Sequence, residues 1–219
     1  MNSFVLGEVE SLLVQQPLLA KNEANNGLKI SGKYKICYQF EDEVFEDYFS
    51  IEIFIPDGFP EDIPTIISAD GTIRANNYNG HIYENGQFCL EHDTVIATYL
   101  LDNPSFLGFL TRYLESYLFG FLYYRKYKIL PFGEHKHGIP GLMDHYCDLF
   151  NTSDIRIAYI LLTCLIKDNL QGHILCPCQS GKRYRNCHRE RINALRSNRL
   201  YERYKNDYAR IMVEVNKTR

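Results

Sequence analysis

Tryptophan is absent from this chain of 219 residues, and so is any long uncharged run. A membrane-spanning helix needs roughly 18 or more consecutive apolar residues. The nearest stretch, residues 106–124, is interrupted by Arg112 and Glu115. The opening residues carry Glu8 and Glu10 but no basic cluster, which speaks against a secretory leader. Seven cysteines are an odd number, and four potential metal-ligand positions crowd near the end of the chain, so no disulfide framework is expected. A glycine-rich nucleotide loop is missing as well, which leaves no means of activating a carboxylate by adenylation. The expectation is a cytoplasmic protein with no membrane partner.

What is present is enough for a core. Hydrophobic residues make up 45% of the chain, and 17 Tyr and 13 Phe predict a core of mixed rings with room for one main domain and an appendage. The net charge of -3 hides a division. Residues 182–219 hold 12 Lys and Arg against 4 Asp and Glu, whereas residues 1–181 hold 12 against 23. A basic tail of this kind either binds a partner or docks on its own acidic body.

Phe4, Leu6, Val9, Leu12 and Leu13 recur at near-helical spacing up to Pro17, which predicts a first helix. Residues 21–27 read as a polar break. Residues 28–40 alternate as a strand with Ile30, Tyr34, Ile36 and Tyr38 on one face, the acidic residues 41–47 read as a turn, and residues 48–55 form a second strand. Pro56, Pro60 and Pro64 then forbid helix and precede a short strand at 65–68. Asn103, Pro104 and Ser105 open a long helix to about Lys128, with Phe106, Phe109, Leu110, Tyr113, Leu114, Tyr117, Phe121 and Tyr124 as its buried face. A helix over 154–169 and a final helix over about 190–215 follow, the last with Leu200, Tyr204, Tyr208, Ile211 and Val215 as its stripe.

Residues 79–91, NGHIYENGQFCLE, bring one thiol, Cys89, to the end of a loop turned at Asn85-Gly86. A thiol is the strongest ordinary nucleophile near neutral pH; a lone cysteine is otherwise a small apolar residue. The neighbouring Glu91, His92 and Asp93 carry charges of both signs, so they give its acidity no single direction. The order His81, Tyr83, Gly86, Cys89, Leu90, Glu91 resembles the active-site strip of ubiquitin-conjugating enzymes. Pro56, Phe59, Pro60, Pro64 and Ile66 resemble the proline signature of the same family, with Ile63 in place of one proline. The resemblance spans residues 1–150 and implies an α+β, UBC-like fold: an antiparallel sheet flanked by helices, with Cys89 as the thioester-forming residue of an acyltransferase. It departs at His81, where the family has the asparagine that supports the loop or the oxyanion. His81, Tyr83 and Asn85 are the candidates for that support.

Residues 130–146 carry His135, His137 and His145 in a Gly/Pro-rich setting without a second ligand pair. The Gly-Glu-x-x-His-Gly element there, with Glu134 and His137, resembles bacterial ubiquitin-conjugating-like proteins of antiphage operons. In short type II CBASS operons of that kind, the resemblance implies an acyl donor that is the C-terminus of a cGAS-like nucleotidyltransferase, joined to a protein acceptor.

Near the end, CPCQSGKRYRNCH supplies Cys176, Cys178, Cys187 and His188, a complete tetrahedral set for a structural zinc ion, with Ser180-Gly181 turning the chain back. This stretch resembles the SEC-C zinc knuckle. The expected organisation is a catalytic domain over 1–150, a connecting helix over 151–172, the knuckle over 173–189 and a basic helix over 190–219. Two other classes stay open: a catalytically silent adaptor with the same fold, and a nucleic-acid-binding protein that uses the knuckle and the basic tail.

Overall fold

The structure is a computed structural model that describes residues 3–75, 81–132 and 138–217. It has a mixed α+β architecture and separates into two compact units, Met1–Glu134 and His135–Arg219. The division falls earlier than the boundary expected at 150, so the helix that follows it packs with the C-terminal unit. No helix among the described residues is long and apolar enough to cross a membrane.

In the first unit, helix α1 (Ser3–Gln15) buries Val5, Val9 and Leu12, spaced four and three apart along one stripe. Phe4 and Leu6, expected on that stripe, are exposed. Residues 21–27 are not merely a polar break. Leu19–Ala24 forms strand β1, which pairs with β2 (Gly27–Phe40) through the two-residue turn Asn25-Asn26. Asn26 takes φ 62° there, a conformation that asparagine tolerates and tight hairpins need. The apolar alternation that marks a core strand is missing from β1 because it is an edge strand. The acidic turn shrinks as well: Phe40 already faces Glu43, so only Glu41 and Asp42 connect β2 to β3 (Glu43–Pro56). Strand β4 (Thr65–Ser68) completes an antiparallel sheet in the order β1-β2-β3-β4.

One face of the sheet carries the core, with Ile30, Tyr34 and Ile36 of β2 beside Phe45, Phe49, Ile51, Ile53 and Ile55 of β3, while Asp47, opposite Ile36, stands at its margin and pairs with Arg125 at 2.6 Å. A helical rod lies against it. The rod runs through α4 (Phe106–Phe109), a π-helical turn over Leu110–Glu115, and α5 (Ser116–Tyr127). Ser105 caps its start as expected, its hydroxyl accepting from the Gly108 N–H at 2.9 Å. Glu8 of α1 also takes part, accepting from the Ser105 hydroxyl at 2.5 Å and the Phe106 N–H at 2.8 Å. The π turn breaks the single α-helix expected here. At its end the buried Tyr34 donates to Glu115 at 2.9 Å. Leu118, Phe119 and Leu122 are buried beside the expected face, and Phe119 stacks on Tyr38 of β2 with ring centroids 4.3 Å apart. Between β4 and the rod lie the single turn α2 (Thr72–Ala75) and α3 (Asp93–Asp102).

The second unit contains α6 (Gly138–Leu149), α7 (Ile155–Lys167), α8 (Arg189–Arg196) and α9 (Tyr201–Lys217). Asp154 caps α7 by accepting from the Arg156 N–H at 2.8 Å, and Asp168 ends it in a left-handed conformation. The single final helix expected over 190–215 is two helices. Asn198 accepts from the Leu200 N–H at 2.5 Å, a local bond that competes with helix continuation and restarts the chain as α9. Leu200, Tyr204, Tyr208 and Ile211 of the expected stripe are buried, and Val215 is half-buried. The hydroxyl of Tyr146 on α6 donates to the buried Asp207 of α9 at 2.9 Å.

Candidate functional site

Residues 81–89 fold as a small hairpin lying on β4. Cys89 N–H donates to the His81 carbonyl at 2.9 Å, Ile82 bridges Phe88, and Tyr83 N–H donates to the Gln87 carbonyl at 2.8 Å. Glu84, Asn85 and Gly86 form the loop. The Gly86 N–H reaches back to the Tyr83 carbonyl at 3.0 Å, and Gly86 has φ 85°, which a side chain would resist. Two further bonds dock the hairpin on β4: Ser68 N–H to the Gly86 carbonyl and Phe88 N–H to the Ile66 carbonyl, both at 2.9 Å.

This pairing decides which side chains share a face. Directly opposed residues of an antiparallel pair point the same way, with Cβ atoms about 4.5–5.5 Å apart. His81 therefore stands beside Cys89, and Tyr83 and Gln87 follow on the same side. Ile82 and the buried Phe88 turn to the core. The Cys89 thiol is half-buried and reduced. Cys164, by contrast, lies inside α7, where burial pushes its thiol up to about 11 and leaves it unreactive.

The other expected residues separate. Tyr83 is 53% exposed. Asn85 gives its side-chain oxygen to the Gln87 N–H at 3.0 Å, at the tip of the hairpin. That bond makes Asn85 a shaper of the turn. The charges after Cys89 are also committed to local structure. The ring Nδ1 of His92 accepts from the Thr94 N–H at 3.2 Å and caps α3, and Glu91 accepts from the His92 N–H at 2.9 Å. Asn79, Gly80, Glu134, His135 and His137 lie outside the described residues; His145 sits on α6.

Two residues not anticipated from the sequence hold the hairpin. The Tyr117 hydroxyl donates to the His81 carbonyl at 2.6 Å, and its ring stacks on Phe88 with centroids 4.6 Å apart. In the sequence Tyr117 reads only as one more apolar position of the long helix. Arg74 of α2 places Nη2 at 2.6 Å from both the Tyr83 and the Glu84 carbonyls.

The second site lies in the other unit. Cys176, Cys178, Cys187 and His188 converge so that their ligand atoms all lie within 4.8 Å of one another. Cys176 and Cys187 each place Sγ 3.3 Å from His188 Nδ1, and the Cys178 and Cys187 sulfurs are 3.4 Å apart. A tetrahedral ion with thiolate and imidazole bonds of ordinary length spaces its ligand atoms about 3.5–3.8 Å apart, so the donor set fits one metal ion. Local geometry builds the cluster. Cys176 N–H bonds the Lys182 carbonyl at 2.8 Å, and Gln179 and Gly181 take φ 62° and 74° to turn the chain between them. His188 Nε2 lies 3.0 Å from the Phe150 carbonyl, which can only accept; the ring proton is therefore on Nε2 and the Nδ1 lone pair faces the thiols.

Residues 175–190 match the SEC-C motif. The match covers the four converging residues and little else. Neither the curated proteins nor the solved structures contain a match to this chain. The SEC-C segment is also no loose appendage: Cys176 and Tyr184 are buried, and the Phe150 carbonyl at the end of α6 meets the knuckle through His188.

Proposed function

We propose that the first unit is a ubiquitin-conjugating-like acyl carrier in which Cys89 forms a thioester with a protein C-terminus and passes it to an amine or another thiol. The observation that carries this reading is the opposed pair of His81 and Cys89 at the base of a hairpin held by Tyr117, Arg74 and β4. In loading, the Cys89 thiolate displaces the leaving group of an already activated acyl donor. In discharge, the acceptor amine attacks the thioester carbonyl and the Cys89 thiolate departs. His81 would hydrogen-bond the oxyanion of the tetrahedral intermediate that forms when the acceptor adds to the thioester carbonyl, the part played by asparagine in the family that the chain resembles. Charging depends on another protein. The resemblance to ubiquitin-conjugating-like proteins of short type II CBASS operons implies that the donor is the C-terminus of a cGAS-like nucleotidyltransferase and that the reaction is a cytoplasmic one of antiphage defence.

In the second unit the ion is zinc, held by Cys176, Cys178, Cys187 and His188. Four protein ligands leave no position open, so its role is structural.

The deciding experiment is intact-mass analysis of the protein co-expressed with its operon neighbours. A neighbour-sized adduct on Cys89, removed by hydroxylamine and by thiol and absent from Cys89→Ser, supports the carrier. A free Cys89 under the same conditions rejects it in favour of an adaptor.

A second reading rests on a separate observation. Lys182, Arg183, Arg185, Arg189 and Arg191 are all exposed, and none has an ion-pair partner among the described residues. Such a surface suits a polyanion. Nucleic-acid binding through it would weaken steeply with salt and disappear when these residues are replaced by glutamine. Salt-independent binding, or none, excludes it.

A further inference from the structure

We propose that two copies of this chain join edge to edge through β1, extending the sheet across a two-fold axis at Asn22. Strand β1 ends the sheet and pairs with β2 alone among the described residues. The direction of its free groups follows from two bonds. The Leu18 carbonyl accepts from the Lys33 N–H at 3.1 Å, and the Leu19 N–H turns away from β2 to the Gln16 carbonyl at 3.0 Å. Backbone groups alternate along a strand, so those of Lys21 and Glu23 point away from β2, to the open edge.

Register fixes their side chains too. Lys21 is opposite Ile30 and Glu23 opposite Leu28, which puts both on the face covered by α1, where Lys21 pairs with Glu10. Glu10 is the middle of a stripe on α1 with Leu6 and Val14 four residues to either side. Leu6 is 42% exposed and Val14 82% exposed, and Leu18, just before β1, is 55% exposed. An open strand edge and an apolar helix flank therefore lie side by side.

The charges on β1 choose the partner and the register. An antiparallel second copy with Asn22 opposite its own counterpart makes the outward groups of Lys21 and Glu23 meet those of Glu23 and Lys21, two opposite-charge pairs. An axis at Lys21 or at Glu23 would bring like charges face to face. An axis at Ala20 would use the Leu19 N–H, which Gln16 already holds. A lone lysine on an edge strand deters pairing, but Lys21 is balanced by Glu10 within the chain and by Glu23 across the axis. In this arrangement both α1 helices lie on the same face of one eight-stranded sheet, and their Leu6 and Val14 stripes meet over the axis. The interface is isologous and self-complementary.

The test is a light-scattering mass measurement on the full chain, with two charge-reversal variants. The parent is expected to reach twice its 25.6 kDa chain mass as concentration rises. Lys21→Glu and Glu23→Lys are each expected to remain monomers, and an equimolar mixture of the two is expected to recover the dimer, since each then faces its opposite charge. Should either variant lose its native circular dichroism, Asn22→Cys decides: residues on the axis in a non-hydrogen-bonded pair are close enough for a disulfide. Mild oxidation should then give a covalent dimer, while Ala20→Cys and Ala24→Cys should not. A parent that stays monomeric throughout, or a dimer indifferent to both reversals and not linked through Asn22→Cys, overturns the proposal.

Discussion

The hydroxyl of Tyr117 donates to the carbonyl of His81 at 2.6 Å, and that same carbonyl accepts the N–H of Cys89 at 2.9 Å. One oxygen thus ties the thiol-bearing strand to the core helix. Tyr117→Phe keeps the ring that stacks on Phe88 but removes this donor. A net loss of about 1 kcal/mol is expected, with faster labelling of Cys89 by a thiol reagent in native protein. An unchanged labelling rate would mean that the hairpin does not depend on the helix.

For the proposed chemistry, Cys89→Ser should abolish thioester formation with the fold intact by circular dichroism. His81→Ala should slow transfer to the acceptor more than it slows loading, because its hydrogen bond matters most when the oxyanion forms. Single-turnover assays of the two half-reactions separate these. Equal slowing of both would assign His81 a purely structural part.

Metal binding in the second unit should strengthen as pH rises. Without metal, burial pushes the Cys176 thiol up to about 12, so it keeps its proton at neutral pH and must surrender it to the ion. Burial also works to raise Cys178, but hydrogen bonds from Ser180 and the neighbouring thiols outweigh it and bring that group down to about 6. Acidification through this value adds a further proton to be displaced. Chelator competition on either side of pH 6 should show affinity falling on the acid side, more steeply below than above. A pH-independent affinity would contradict the three-thiolate site.

Arg196 of α8 closes the C-terminal end of α7. Its Nε donates to the Leu165 carbonyl at 2.8 Å, and its other nitrogens reach the Cys164 carbonyl and the Asp168 carboxylate. Arg196→Ala leaves those carbonyls without this partner and should cost about 1–3 kcal/mol. The loss should appear as an earlier urea midpoint. Arg196→Lys should restore part of it, since lysine offers the charge but not the fork.

The parts of the molecule that were legible in the sequence are those encoded locally. Cys176, Cys178, Cys187 and His188 lie close enough together for spacing alone to imply convergence, and the alternation in β2 and β3 declares a buried face. What was not legible depends on distant neighbours. Leu19–Ala24 is a strand because β2 offers it a ladder, not because its own residues alternate. The break between α8 and α9 rests on one side-chain bond of Asn198, invisible in a stripe that continues through it. Neither the Tyr117 bond to His81 nor the His188 contact with Phe150 has any signature in the intervening residues. The UBC resemblance rests on local patterns, the prolines and the Cys89 strip, and the structure meets it only at the level of an antiparallel four-stranded sheet with helices.

The meander of the sheet bears on how the protein assembles. Each strand pairs with the one made just before it, and two of the three connections are two residues long. Short loops cost little entropy to close and are reached early on a folding pathway. The sheet can therefore form on the ribosome as soon as β3 and β4 emerge, long before Cys176 has been synthesised. The second unit, whose thiols and imidazole fit one metal ion, has to wait for its last helices. Under the proposed zinc assignment, a cell short of zinc would accumulate chains with a finished first half and an immature second one.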